Sequence, residues 1–219
     1  MASEKKNLAA ASESTGLAKS ISEISAAETS TIDPQSPDQV KRGSKFWRQT
    51  RENLQIIAIA LALALFIRAF VAEPRFIPSD SMLPTLEVGD RLVVEKISYH
   101  FRSPTTGEIV VFDPPQQLQI QGYAKDQAFI KRIIGTPGQI IQVHNGKVYR
   151  NNTPLQEDYI AEPPAYEMEA VRVPENYLFV MGDNRNNSND SHVWGFLPQE
   201  NVIGHACFRF WPFNRLGRV

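Results

Sequence analysis

A mainly β protein, a compact antiparallel β-sheet domain behind a single N-terminal transmembrane helix, is the fold class the sequence predicts. Three observations lead there. Leu54 to Ala72 is an apolar run broken only by Gln55 and Arg68. Beyond it, short Val-, Ile- and Phe-rich runs recur between turn residues. In that second stretch no apolar pattern of helical period persists beyond a turn or two. The bulk numbers agree with one folded domain plus appendages: 219 residues, 42% hydrophobic and 21% charged, which excludes a wholly disordered chain and a polytopic membrane protein.

Residues 1–50 are expected to form a disordered cytoplasmic tail with a basic flank. Up to about residue 44 they are rich in Ser, Ala, Thr and Glu and carry almost no large apolar side chain, so burial could not offset the entropy of ordering them. Glu4, Glu13, Glu23, Glu28, Asp33 and Asp38 make the segment too acidic for a typical organelle transit peptide. The transmembrane helix is assigned to 51–73. At ~1.5 Å per residue, the 19 residues from Leu54 reach roughly 28 Å, against a hydrocarbon core of ~30 Å. Arg68 lies near one end, where its long stem lets the guanidinium snorkel to the interface. Lys41, Arg42, Lys45, Arg48 and Arg51 precede the run with no acid among them, whereas Ala72 to Asp90 holds one basic residue, Arg75. The positive-inside rule then leaves the N-terminus cytoplasmic and puts 74–219 on the periplasmic or lumenal side.

In the β domain, 74–219, strands are expected at Arg91 to Glu95, Glu108 to Phe112, Phe129 to Ile134, Ile140 to Tyr149, Tyr177 to Met181 and Val202 to Trp211. Asn145-Gly146 is the strongest hairpin signal, because both residues tolerate the positive φ of a type I′ turn. Gln116 to Gln127 and Pro154 to Asn176 are expected to be polar surface excursions. There is no internal repeat.

Charge and cysteine usage narrow the chemistry. With 23 Lys+Arg against 24 Asp+Glu there is no basic surplus for nucleic acid. The single cysteine, Cys207, cannot make an internal disulfide or a Cys-based zinc site, and His100, His144, His192 and His205 show no HExxH spacing. No metal or other cofactor is therefore expected.

Three segments could carry a reaction. Pro78-Ser79-Asp80-Ser81-Met82-Leu83-Pro84-Thr85-Leu86 follows the apolar run closely, and its prolines hold an irregular turn that could present a hydroxyl near the bilayer. Ser-rich turns are equally at home as structure. In Phe129-Ile130-Lys131-Arg132-Ile133-Ile134-Gly135, strand alternation puts Lys131 beside Phe129 and Ile133, a setting that penalises its charged form. At a pKa of ~8 about a tenth of such amines are a free base at pH 7, against roughly one in 2,500 for an unshifted lysine. An edge-strand lysine with its ammonium in water is the blander alternative. Met181 to Gly195 is dense in Asn, Asp and Ser, which brace loops and could equally hold a neutral amine.

Taken in order, Ser79-x-Ser81-Met82-x-Pro84-Thr85-Leu86, Gly89-Asp90, Lys131-Arg132-x-x-Gly135-x-Pro137-Gly138 and Gly182-Asp183-Asn184-Arg185-x-x-Ser188-x-Asp190-Ser191 behind a membrane anchor resemble the bacterial type I signal peptidase (leader peptidase) family. The resemblance covers 54 to about 211. It is closest in pattern to cyanobacterial and thylakoidal members, so a plasma or thylakoid membrane is expected. It implies a membrane-bound serine endopeptidase with a Ser-Lys dyad, removing signal peptides from exported preproteins that carry small residues at the cleavage site. By the same resemblance Ser81 is the nucleophile and Lys131 the base. The Ser79 hydroxyl and the Ser81 backbone N–H form the oxyanion hole, Ser188 orients the amine, and Asp190 braces the loop. Where many relatives carry Arg, this chain has His192 as a weaker partner for Asp190, leaving Arg132 as a further candidate to pair with it. Phe76, Ile77, Pro78 and Leu86 are the pocket walls suggested by adjacency, and Cys207 to Phe213 is either a last core strand or an interfacial segment. A self-cleaving regulator of the same Ser-Lys type would need an Ala-Gly or Cys-Gly bond, and neither occurs. The other class of reading is a membrane-anchored β interaction module in which Ser81 and Lys131 are structural.

Overall fold

A computed structural model describes residues 37–219, with side chains from Thr50 onward. The expected disordered tail lies outside the described residues up to position 36. From there the chain departs from expectation, because helix α1 spans Pro37–Phe66 and so takes in the basic flank. Proline is well placed to open a helix, and no other proline follows before Pro74. A short π-helical segment, Ile67–Val71, ends the helical stretch. Within it Thr50–Val71 has a mean hydropathy of 2.4 and is long and apolar enough to cross a membrane. The chain divides into two units after Ala58, and the second, Ile59–Val219, is compact.

The second unit is mainly β, as expected. Its larger sheet has eight strands: β1 (Ala72–Phe76), β2 (Arg91–Glu95), β3 (Ile109–Phe112), β4 (Phe129–Gly135), β9 (Tyr177–Met181), β10 (Leu197–Pro198), β11 (Val202–Trp211) and β12 (Gly217–Arg218). The order is β1-β2-β11-β3-β4-β9-β10, with β12 on β11, and every pair is antiparallel. A smaller sheet of β5 (Ile140–His144), β6 (Lys147–Arg150), β7 (Thr153–Pro154) and β8 (Met168–Arg172) is ordered β7-β6-β5-β8.

The expected hairpin forms at Asn145-Gly146, with φ of 50° and 69° and His144 paired to Lys147. Five strands were not anticipated: β1, β8 and the two-residue β7, β10 and β12. Pro74 sits in β1, an edge strand, where a missing N–H costs no ladder bond. Strand β8 lies inside the expected polar excursion. Met168-Glu169-Ala170-Val171-Arg172 has one β-branched residue and is mostly exposed, so its pairing with β5 leaves little trace in composition.

Core packing explains why the central runs are continuously apolar. All four residues of β3 are buried, because Ile109 and Val111 enter one cluster with Ile77, Met82, Leu86 and Ile130, while Val110 and Phe112 enter another with Ile133, Val180 and Trp194. A third cluster, Ile134, Ile141, Val143, Val148, Phe179 and Met181 among its members, joins the two sheets. Each large side chain buried in this way contributes about 1.5–3 kcal/mol relative to exposure.

Candidate active site

Ser81 is held from both sides. It occupies one turn of 3₁₀ helix, Asp80–Met82, entered from an extended Ser79. The Met82 and Leu86 side chains are buried in the first cluster and fix that turn to the sheet. On the other side the Asn184 N–H donates to the Ser81 carbonyl at 3.1 Å, and Asn184 Nδ2 donates to the Asp80 carbonyl at 3.1 Å. Gly182 makes this docking possible. A Cβ there would sit 2.4 Å from the Ser81 carbonyl oxygen and 2.3 Å from Ser188 Oγ.

Lys131 reaches the serine from β4. Its Nζ lies 2.7 Å from Ser81 Oγ and donates to the Ile130 carbonyl at 3.0 Å. The side chain is 3% exposed. Burial pushes its pKa from 10.5 down to about 8, opposed by the negative fields of Asp190 and Asp183. Ser79 Oγ lies 3.3 Å from Ser81 Oγ.

The bracing loop differs from the sequence expectation. Arg132 does not pair with Asp190. Neighbouring residues on a strand face opposite ways, so Arg132 points away from the Lys131 amine and meets Asp183, with Nε to Oδ1 at 2.8 Å and Nη2 to Oδ2 at 2.6 Å. Thr85 Oγ1 donates to the same carboxylate at 2.5 Å, and Tyr159 lies against the guanidinium at 4.0 Å. Asp190 accepts instead from the Gly182 N–H at 2.9 Å, the His192 N–H at 3.1 Å and His192 Nδ1 at 2.6 Å. Ser188 Oγ is buried against Gly182 and has no hydrogen-bond partner, so it does not bond the Lys131 amine here.

Sequence reasoning missed Asp183 with Thr85, and the buried Arg185–Glu157 pair, joined at 2.8 Å through both guanidinium nitrogens. A signal existed for Asp183: a carboxylate in a turn that follows a continuously apolar strand needs a cation when buried.

Ser81 and Lys131 open onto a cleft of about 440 Å³ lined by Pro78, Ser79, Tyr123, Ala128, Phe129 and Ile130, among others. Of the pocket walls suggested by adjacency, only Pro78 lines it. Ile77 and Leu86 are core residues, and Phe76 projects from the edge strand with 57% exposure. A larger cavity of about 590 Å³, between Lys96–Pro104 and Gln199–Ile203, shares no residue with the cleft. The arrangement holds a hydroxyl against an amine whose lowered pKa leaves about a tenth of it uncharged at pH 7, which suits proton abstraction from the serine and nucleophilic attack on a carbonyl.

A family model described as signal peptidase, peptidase S26, matches residues 50–211. Probable signal peptidase I-1 of Synechocystis sp. is 65% identical over 173 residues, spanning 79% of this chain and 88% of that protein. Signal peptidase I of Leptolyngbya laminosa is 55% identical, spanning 77% of this chain and 83% of its own length. Probable thylakoidal processing peptidase 2 of Arabidopsis thaliana is 44% identical, over 83% of this chain and 51% of that protein.

Proposed function

Because this chain belongs to the signal peptidase family, peptidase S26, we propose that it is a membrane-bound serine endopeptidase that removes N-terminal signal peptides from exported preproteins through a Ser81–Lys131 dyad. The observation that carries this reading is the 2.7 Å approach of a buried lysine amine to a serine hydroxyl at the foot of an open cleft.

The neutral Lys131 amine takes the Ser81 hydroxyl proton as Oγ bonds to the scissile carbonyl carbon, and the carbonyl π pair moves to oxygen. The Ser79 hydroxyl and the Ser81 N–H stabilise that oxyanion. Removing one such donor typically costs ~3 to 4 kcal/mol of transition-state stabilisation. The Lys131 ammonium then protonates the departing amine as the C–N bond breaks. A water molecule, deprotonated by the same amine, releases the acyl group and regenerates Ser81. The Asp183–Arg132 pair and Asp190 act on this sequence by holding the loop against the Ser81 turn. Substrates carry a small residue such as Ala at the cleavage site. Pro78, Ala128 and Ile130 supply apolar wall beside Ser81 for such a side chain.

Membrane attachment is supported by the Thr50–Val71 helix, and orientation by the basic residues before it. One experiment tests both parts. Proteoliposomes with residues 74–219 outward should process an added preprotein, inward-facing ones only after permeabilisation, and Ser81→Ala or Lys131→Ala should lower cleavage by at least about 10³-fold. Normal processing by either variant would falsify the dyad. Processing confined to inward-facing vesicles would contradict a site within 74–219.

A further inference from the structure

His192 stands in the first turn of the short helix Ser191–Trp194, which Asp190 caps. Both groups that grip its imidazole belong to the site's surroundings. Nδ1 lies 2.6 Å from Asp190 Oδ1, and the ring stacks on Tyr166 at 4.2 Å with planes 12° apart. The other carboxylate oxygen of Asp190 accepts the Gly182 N–H, the same glycine that touches the Ser81 carbonyl. Asp190 is fully buried, and its charge acts on Lys131. The imidazole itself is 18% exposed. A continuous path therefore runs from a partly exposed, ionisable ring, through a buried carboxylate, to the general base.

We propose that His192 is a positioning residue for Lys131: the imidazole fixes the Asp190 carboxylate and, by gaining or losing a proton, offsets or releases that carboxylate's field on the amine. The inference rests on the dyad reading above.

Nδ1–H is donated to Asp190 in the neutral ring and in the cation alike, so Nε2 is the nitrogen that gains and loses the proton and the hydrogen bond survives titration. What changes is charge. A cationic ring cancels part of the attraction between Asp190 and the ammonium, and Lys131 then gives up its proton at lower pH. The two protons disfavour each other. The remaining charged groups near the ring do not mask this effect. Tyr166 is the aromatic partner, with its hydroxyl pushed to very high pKa by burial. Behind it, Arg185 and Glu157 neutralise each other in a buried ion pair. Asp183, the other carboxylate acting on Lys131, is paired with Arg132.

The test is the pH profile of kcat/KM for the full-length chain in phospholipid vesicles, using a peptide that spans an Ala-x-Ala cleavage site. His192→Gln keeps a donor without a titrating charge, and His192→Arg carries a permanent one. The acid limb of His192→Arg should lie about half to one pH unit below that of His192→Gln, which is about three- to tenfold in kcat/KM on the falling limb. Wild type should follow the Gln variant where the ring is neutral and bend toward the Arg variant where it is charged. KM should stay constant within about twofold across the series, since the ring touches no substrate. Superimposed limbs, or a constant loss at every pH, would overturn the proposal. If His192→Gln does not fold, the Nζ titration of Lys131 in ¹⁵N-lysine-labelled His192→Arg decides alone: it must move downward from wild type, and an unmoved titration overturns the proposal. Ser81→Ala and Lys131→Ala run alongside separate the two levels. If they still cleave, the dyad reading fails. If they are inactive while the His192 profiles coincide, only this inference fails.

Discussion

At Lys131 two demands conflict, and the chemistry comes from the conflict. A buried ammonium loses its hydration, while Asp190 and Asp183 attract it; burial prevails and the pKa falls to about 8. At pH 7 that leaves about a tenth of the molecules with a free amine. The same imbalance is a cost in stability. The folded-state pKa lies below the unfolded value of 10.5, so the unfolded chain binds more protons between pH 8 and 10.5, and Lys131's destabilising contribution is full below about 8 and gone by about 10.5. Lys131→Met, which fills similar volume without a charge, should therefore abolish cleavage yet raise the thermal midpoint at pH 7, by the equivalent of up to roughly 3 kcal/mol. Its advantage over wild type should shrink as pH rises from 8 to 10.5. A stability difference that ignores pH over that window, followed by calorimetry, would mean the lysine is not held in a low-polarity site. The apolar flanks that share the face of Lys131, Phe129 and Ile133, can be read directly from the strand's alternation in sequence.

Elements meet at the site more tightly than composition suggests. The loop after β9 docks on the Ser81 turn only because Gly182 lacks a side chain; a Cβ would strike the Ser188 side chain and the Ser81 carbonyl oxygen, and the backbone oxygen cannot rotate aside. Gly182→Ala should thus push the Ser81 turn away from Lys131. Overpacking of this kind costs about 1–3 kcal/mol, and a displacement of about 1 Å at a reacting atom costs about 10²-fold in rate. Gly217→Ala, where nothing lies within 4 Å of the new carbon, should leave both stability and rate unchanged. Comparing kcat/KM and thermal midpoints of the two variants checks this, and a Gly182→Ala enzyme within twofold of wild type would contradict it. Strand positions were legible at this scale wherever burial is two-sided or alternating, as in β3, β4, β9 and β11. They were illegible where a strand lies at an edge: β1 contains a proline, and β8 is held by backbone pairing with few apolar side chains.

Across the whole molecule the site is assembled from distant parts. Ser81 and Lys131 are 50 residues apart, and Arg132 and Asp183 are 51 apart. The order of the motifs along the chain was visible in sequence, and with it the family. Partnership within the loop was not. Asp183 and Asp190 both follow β9, and the choice between them as partner for Arg132 follows from the register that sets Arg132 opposite Met181. That register is a property of the folded sheet. Ser188 shows the same limit, since its hydroxyl faces Gly182 with no hydrogen bond to the amine. Catalysis depends most on the state of one nitrogen, and ¹⁵N NMR of lysine-labelled full-length protein in detergent micelles reads it directly. The Lys131 Nζ resonance should titrate near pH 8. A Lys131 transition near 10.5 would contradict the claim that burial holds this amine ready to accept the serine's proton.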